Sequence, residues 1–249
     1  YAKLREKGIE VITLNTGIFE STTAFKIDFD SEQVAKEGGS EISELRKSTD
    51  RAKALEIMGE GAAKIVAELC LQNKVDGIVG MGGGGGTYMA VRAMQAVPFG
   101  IPKLCLSTLA TKDLSTSIGG KDIVLIPSVV DVNGLNSISK TLIRQTAGAI
   151  YGMMNASEFE QEENSGTIAI SVFGNTTLCV DRCTELLKAK SYEVLSFHAV
   201  GTGGKTMESL ILDGYFDAVL DITTTELADD LCGGICSAGP NRLEAAAKM

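Results

Sequence analysis

The sequence predicts an α/β protein of two consecutive domains, each with a mostly parallel sheet. Short apolar segments alternate with segments of helical periodicity, as in strands joined by crossover helices. Several apolar segments end in glycine-rich turns, and the length of 249 residues suits one large or two ordinary domains of about 150 residues. An acidic, polar stretch at 155–166 interrupts the pattern. We therefore expect domains at residues 1–160 and 161–249, with a solvated loop inside one domain as the alternative.

The first domain is predicted element by element from its apolar segments. Residues 1–7 are typical of a helix end closed by Gly8, and residues 9–14 of a strand. Residues 15–48 are polar with few periodic signals, which indicates a long loop. The remaining predicted elements are a helix from Asp50 through Leu69, strands at 76–80, 102–106 and 122–126, a loop at 111–119 and a helix at 137–154.

The second domain repeats the alternation. Its predicted strands lie at 167–172, 192–197 and 216–220, each followed by a helical segment. Thr223 and Glu226 have the spacing of a capping box, which predicts a helix that ends near Gly233. Asn241 and Glu244 suggest another helix start. We expect this domain to be truncated within that last helix.

Composition excludes some classes of function. The net charge is −9 and the pI is about 4.8, whereas a nucleic-acid surface needs clustered Lys and Arg. No apolar run reaches the roughly 20 residues of a membrane span. We therefore expect neither a nucleic-acid partner nor a membrane partner.

The six cysteines indicate a reducing compartment. Two pairs, Cys179 with Cys183 and Cys232 with Cys236, are each spaced four apart. With one histidine in the chain, a zinc site would need all four of these, and the spacing is not that of a zinc knuckle. Reduced thiols in a cytoplasmic protein are the preferred interpretation, and no metal-ligand set is predicted.

The run of glycines at 82–86 predicts an anion-binding turn between a strand and a helix. Five glycines cost conformational entropy on folding, and the apolar order on both sides argues against the alternative of a flexible linker. Bare backbone amides at a helix N-terminus bind phosphate. Two hydroxyls follow the next strand, at the sheet edge where open α/β sheets bind ligands. The candidate ligand-binding residues are Gly82, Gly83, Gly84, Gly85, Gly86, Thr87, Ser107 and Thr108.

A second glycine-rich turn follows the strand at 192–197. The sequence Gly203-Gly204-Lys205-Thr206 invites comparison with a phosphate-binding P-loop, but Ala199 stands where that motif needs its first glycine. A looser anion-binding turn with Gly201, Gly203 and Gly204 is the preferred interpretation. Asp221 and Glu208 could hold a metal, although nothing in their spacing demands one.

Polar side chains near this turn have two interpretations each. His198, the single histidine, is either a general acid/base at the mouth of a crevice or a structural residue bonded to the backbone. The hydroxyls and carboxylate of Thr224, Thr225 and Glu226 either cap a helix or contact a ligand phosphate or ribose. No second base or nucleophile is adjacent to His198, so no catalytic triad can be argued.

Several segments together resemble a known family. They are residues 80–87, 101–103 with Ser107 and Thr108, 127–131 with 134–136, 173–177, 197–199 and 221–229. These segments resemble the ATP-binding domain family named after the tomato mosaic virus resistance protein, in its uncharacterised bacterial branch. The resemblance covers nearly the whole chain.

The resemblance implies two tandem Rossmann-like three-layer α/β/α domains, ATP binding and dimerisation. Its plant member inhibits viral RNA replication by binding the viral replicase. Ser128, Asp131 and Asn136 lie in the matching segments and are candidate ligand residues on that ground. Members of the family are expected to begin before Tyr1 and to continue past Met249. Three positions depart from the family pattern: Gly84 replaces Ser, Val200 replaces Thr and Lys205 replaces Arg.

The resulting expectation is a homodimeric protein that binds ATP, a related nucleotide or another phosphorylated small molecule, with Mg²⁺ as an optional companion. Two alternatives stay open. One is an enzyme of small-molecule metabolism, with His198 as acid/base and with Thr176, Thr177 and Glu226 around the substrate. The other is a protein-interaction module that ATP stabilises. Whether the protein is an enzyme is not decided by the sequence.

Overall fold

The computed structural model describes residues 1–19, 24–156 and 164–249. The chain divides into two compact units, one formed by residues 1–118 and 122–157, the other by residues 119–121 and 158–249. The predicted domain boundary at residues 160 and 161 lies outside the described residues. In the described part of the chain, no helix is both long enough and apolar enough to cross a membrane.

Within the described residues, strands and helices alternate from Ile78 onward, after a run of helices at the start of the first unit. The helices are α1 (Ala2–Arg5), α2 (Ser31–Glu37), α3 (Ile42–Lys47), α4 (Arg51–Leu71), α5 (Gly84–Gln95), α6 (Ser115–Ile118), α7 (Ser137–Met154), α8 (Thr177–Lys188), α9 (Thr202–Leu212) and α10 (Thr225–Cys232). The strands are β1 (Ile78–Gly82), β2 (Lys103–Ser107), β3 (Ile123–Pro127), β4 (Thr167–Val172), β5 (Glu193–His198) and β6 (Ala218–Leu220).

The first unit contains a parallel sheet in the order β1-β2-β3. All five residues of the central strand β2 are buried, as expected where helices cover a parallel sheet. The largest apolar core forms around α4, where Met58 and Val66 pack with Val34 of α2 and Leu45 of α3. This core supports the helices that flank β1.

The second unit contains a parallel sheet in the order β5-β4-β6. The central strand β4 is buried over four consecutive residues. Its Ala169 packs with Met207 and Ile211 of α9, and Phe197 and Phe216 close the same cluster. The prediction of two tandem α/β domains with parallel sheets is thus confirmed.

Residues 9–14 do not form the predicted strand. Only Leu14 pairs, in an isolated parallel bridge with Phe29. The amide and the hydroxyl of Thr13 both donate to the Asp28 carboxylate, at 3.0 Å each. This segment therefore takes its hydrogen bonds from residues near 28 and does not join the sheet.

The predicted loop at residues 15–48 contains two short helices, α2 and α3. A capping box starts α2, because the Asp30 carboxylate accepts from the Gln33 amide and the Gln33 side chain accepts from the Asp30 amide. That pattern was visible in the sequence. The helices were missed because each buries only a few apolar side chains over six or seven residues.

The predicted loop at 111–119 likewise contains the four-residue helix α6. The helix predicted from Asn241 is also wrong, since only a single 3₁₀ turn forms at Ala245–Ala247. The amides of Leu243 and Ala245 donate to the Glu208 carboxylate, at 2.9 and 2.8 Å. These amides have partners outside their own segment, so a regular α-helix does not form there.

Candidate functional site

The carboxyl ends of β1, β2 and β3 meet at one edge of the first sheet. Gly82 lies beside Ser107, and Ser107 beside Pro127, in the parallel register. The glycine run, Thr108 and Ser128 follow directly after these three positions. The structure therefore brings together the residues predicted to follow these strands, at the edge where open α/β sheets bind ligands.

The turn after β1 presents unpaired amides. Gly83 is the N-cap of α5, and Gly84 is its first residue. The first amides of a helix have no intrahelical partner. Among the described residues, we find no hydrogen-bond acceptor for the amides of Gly84, Gly85 and Gly86. The turn therefore offers three N–H donors together with the positive end of a 12-residue helix.

Two buried hydroxyls hold this turn in place. The Thr87 hydroxyl donates to the Gly82 carbonyl at 3.2 Å and lies 2.6 Å from the Ser107 hydroxyl. The Ser107 hydroxyl also accepts from the Leu109 amide at 2.9 Å. Thr87 and Ser107 are 2% and 1% exposed, so these two predicted ligand residues have structural partners and are shielded from solvent.

The glycines of the turn differ in their surroundings. A Cβ atom on Gly82 would lie 2.5 Å from the Cα atom of Gly86, which explains why this position carries no side chain. A Cβ atom on Gly84 would meet nothing within 4 Å. Gly84 is also exposed. The middle of the turn is therefore open to an incoming group.

A cation and a hydroxyl lie beside the open turn. The Arg51 guanidinium is 3.7 Å from the point that a Cβ atom on Gly85 would occupy, and the Thr108 hydroxyl is 3.8 Å from the corresponding point on Gly83. Arg51 is the exposed first residue of α4. No local pattern pointed to Arg51, because this residue lies more than 30 residues before the turn and matches no motif.

The residues after β3 form a loop beside this edge. The buried Ser128 hydroxyl donates to the Val130 carbonyl at 2.7 Å, and Asp131 accepts from the Val132 amide at 2.8 Å. Val129, 75% exposed, has a φ of 62°, an uncommon conformation for a β-branched residue. Asn136 caps α7, in a reciprocal pair of hydrogen bonds with Ser139.

The described residues of the first unit line a smaller and a larger cavity. The smaller, of about 280 Å³, adjoins the strand ends and is lined by Met81, Leu106, Ser128 and Asp131 among others. The larger, of about 980 Å³, runs along the outer edge of β1 and reaches the glycine turn only at Gly86. Its lining is mostly aliphatic side chains and methionines, which do not suit a phosphate group.

The second glycine-rich turn is occupied by a side chain of the same chain. Glu226 Oε1 accepts from the Gly201 amide at 2.6 Å and from the Gly204 amide at 3.0 Å. Glu226 is 1% exposed. A Cβ atom on Gly204 would lie 1.9 Å from Glu226 Oε2, and one on Gly203 would lie 1.9 Å from the His198 carbonyl oxygen. These glycines therefore allow close approach of protein groups.

Arg242 binds the same carboxylate and two others. Its Nε donates to Glu226 Oε2 at 2.7 Å, its Nη2 to Asp221 at 2.9 Å and its Nη1 to Glu208 at 2.9 Å. Burial alone lowers the pKa of Arg242, but hydrogen bonds to Asp221 and Glu226 outweigh that effect and raise it above the ordinary value. The guanidinium is therefore charged at every physiological pH.

The predicted capping box between Thr223 and Glu226 does not form. Thr224 is the N-cap of α10 and makes no side-chain capping bond. The Thr223 hydroxyl donates to the Ser171 carbonyl at 3.1 Å, and Glu226 binds the glycine turn instead. Both side chains are thus engaged by partners from other elements, and Thr225 begins the helix without a capping role.

The remaining predicted residues of the second unit lie at the strand ends. Thr176 lies 2.7 Å from Thr223, hydroxyl to hydroxyl, and the exposed Thr177 donates to the Phe173 carbonyl at 3.2 Å. His198 is exposed, with its ring centroid 5.8 Å from that of Phe173. Within the described residues we find no hydrogen-bond partner for the imidazole and no group of three or more His, Cys, Asp or Glu placed to hold a metal.

Comparison with known proteins identifies relatives for both units. Residues 1–159 match the model of the N-terminal domain of an uncharacterised protein family, UPF0261, and residues 165–249 match the model of its C-terminal domain. A UPF0261 protein of Clostridium tetani is 42% identical over 246 residues, which are 99% of this chain and 61% of that protein.

A UPF0261 protein of Rhizobium meliloti is 39% identical, over 89% of this chain and 54% of the relative. The ToMV resistance protein Tm-1(GCR237) of Solanum lycopersicum is 37% identical, over 78% of this chain and 26% of that protein. The chain thus spans little more than half the length of these bacterial relatives.

Proposed function

The chain belongs to the uncharacterised protein family UPF0261, and we propose that it binds a phosphate-bearing small molecule, ATP or a related nucleotide, at the glycine turn of its first unit. The observation that carries this proposal is that the amides of Gly84, Gly85 and Gly86 have no acceptor among the described residues and lie at the carboxyl edge of a parallel sheet.

Three physical effects favour a phosphate there. The helix N-terminus carries about half a positive charge, and its free amides point along the helix axis toward the ligand. The Arg51 guanidinium adds a full charge beside the turn. A hydrogen bond between an amide and an ionised phosphate is stronger than one between neutral groups.

The contrast between the two glycine turns supports the choice of the first. In the second unit, the amides of Gly201 and Gly204 already bind the Glu226 carboxylate. No carboxylate takes that place at Gly84–86 among the residues that the structure describes. An anionic ligand therefore has donors available at the first turn.

Calorimetric titration of ATP against Gly84→Val tests the proposal. The added side chain projects into open space where the ligand would sit, so we expect the fold to persist and the ATP affinity to fall tenfold or more. Gly148→Val is the matched control, because a Cβ atom on Gly148, within α7, also meets nothing within 4 Å. Equal ATP affinity in wild type and Gly84→Val would reject this site.

The enzyme interpretation stays a prediction. An exposed His198 at a strand end is compatible with acid/base chemistry, but no described residue orients its ring. Protein partners, dimerisation and a cytoplasmic location are proposals for the whole polypeptide. The tomato relative is a ToMV resistance protein, which motivates a search for a protein partner.

A further inference from the structure

The second unit contains a complete anion-binding arrangement that its own chain fills. The donors are the amides of Gly201 and Gly204, and the guanidinium of Arg242 stands opposite them. Between them lies the Glu226 carboxylate, with both oxygens bonded. A phosphate or carboxylate of a ligand would need these same donors.

We infer that Glu226 is the built-in anion of the second glycine turn and that this carboxylate excludes phosphate-bearing ligands from the second unit. The consequence that the protein holds one such ligand per chain rests on the proposed function. The exclusion itself concerns only the second unit and can be tested separately.

Burial makes the exclusion effective. Glu226 and Arg242 are 1% and 4% exposed, so an external anion would have to displace a desolvated ion pair. Displacing the Glu226 carboxylate would break its hydrogen bonds with the Gly201 and Gly204 amides and with Arg242, and buried donors left without an acceptor cost free energy. A phosphate in solution offers no comparable gain, because it loses its own hydration on entering.

We expect a variant without the Glu226 side chain to fold, because other carboxylates still pair with Arg242. Arg242 pairs with three carboxylates, so in a variant without Glu226 it keeps Asp221 and Glu208. The two glycine amides and the Arg242 Nε would then lack an acceptor. Such a variant would have a cavity the size of a carboxylate-bearing side chain, lined by these three N–H donors.

The test compares Glu226→Ala with Glu208→Ala, both in a Gly84→Val background that closes the first turn. Glu208→Ala is the matched control, because it removes a carboxylate from the same arginine but leaves the turn filled. Thermal unfolding is followed in sodium formate, sodium phosphate and sodium chloride at equal ionic strength.

We expect formate and phosphate to stabilise only the Glu226→Ala variant. A site with a dissociation constant of about 10 mM would raise the ratio of folded to unfolded protein roughly tenfold at about 100 mM formate. A folded Glu226→Ala variant that responds to formate and phosphate no more than Glu208→Ala does would overturn the inference.

Wild-type protein supplies a measurement that does not depend on the variant's folding. In amide-resolved NMR, titration with inorganic phosphate should leave the Gly201 and Gly204 signals in place. Phosphate-dependent shifts of these two signals would overturn the inference. If phosphate and ATP also left Gly84, Gly85 and Gly86 unchanged, the proposed function would fail while the exclusion at the second turn stood.

Discussion

Single glycines of the first turn differ in what a side chain would meet. A Cβ atom on Gly82 would lie 2.5 Å from the Gly86 Cα, whereas one on Gly84 would enter open space. We expect Gly82→Ala to destabilise the protein by roughly 1–3 kcal/mol, because the backbone must shift. Gly84→Ala should be neutral or stabilising by up to about 1 kcal/mol, because alanine favours helix. Urea denaturation measures both, and equal effects would contradict this geometry.

The buried thiol of Cys105 predicts a pH dependence. Burial in β2 raises its pKa from 9.0 to about 11, while the unfolded chain titrates near the ordinary value. As the pH rises, the Cys105 thiol therefore loses its proton in the unfolded state before it does so in the folded state. Its contribution to the free energy of unfolding is fully present below pH 9 and is lost as the pH rises through about 11. The loss from this group reaches about 2–3 kcal/mol at the alkaline end.

The contribution of the Cys105 thiol is measured by comparing the free energy of unfolding of wild type and variants from pH 8 to pH 11. Cys105→Ala should show a shallower alkaline decline than wild type, and Cys232→Ala, at an exposed position, should follow wild type. Parallel profiles for wild type and Cys105→Ala would show that the buried thiol does not couple to folding.

At the level of single residues, local patterns were predictable from the sequence, whereas long-range partners were not. The glycine turn at 82–86 and its position after a strand were predictable from spacing. Arg51 beside that turn was not, and neither was the pairing of Glu226 with Gly201, 25 residues away. Such contacts depend on how helices pack, which no local pattern encodes.

At the scale of elements, the six sheet strands were predicted within two residues, because buried parallel strands form short apolar runs between turn residues. The segment at 9–14 is also apolar, but among the described residues it makes only an isolated bridge at Leu14, so composition alone could not exclude it as a strand. Helices α2 and α3 were missed because short helices show too little periodicity.

Asn136, a candidate ligand residue, is the N-cap of α7, so a structural role and a ligand role can be distinguished by experiment. Its side chain accepts from the Ser139 amide at 2.9 Å, which satisfies a helix N-terminal donor. We expect Asn136→Ala to lower the free energy of unfolding by about 1 kcal/mol and to leave ATP affinity unchanged. Chemical denaturation and calorimetry on one preparation measure both. A tenfold loss of ATP affinity at unchanged stability would instead assign Asn136 to the ligand.

On the scale of the whole molecule, the two units share one arrangement, a glycine turn between a strand and a helix, but differ in what binds the amides of that turn. Both place a glycine turn between a parallel strand and a helix, at Gly83 and at Gly201. Among the described residues, a carboxylate fills only the second turn, where Glu226 accepts from the amides of Gly201 and Gly204. Sequence alone therefore found two candidate turns and could not choose between them, because the choice depends on a carboxylate from a different helix.

This asymmetry predicts where a nucleotide protects the backbone. Hydrogen–deuterium exchange of the full chain with saturating ATP should slow at residues 83–87, which include the three glycine amides at 84–86 that have no acceptor among the described residues. Exchange should stay unchanged at 201–206. A ligand that binds only the folded unit protects the amides it contacts most. Gly84→Val should abolish the difference and Gly148→Val should keep it. Protection at 201–206 without protection at 83–87 would place the ligand in the second unit and contradict both turn assignments.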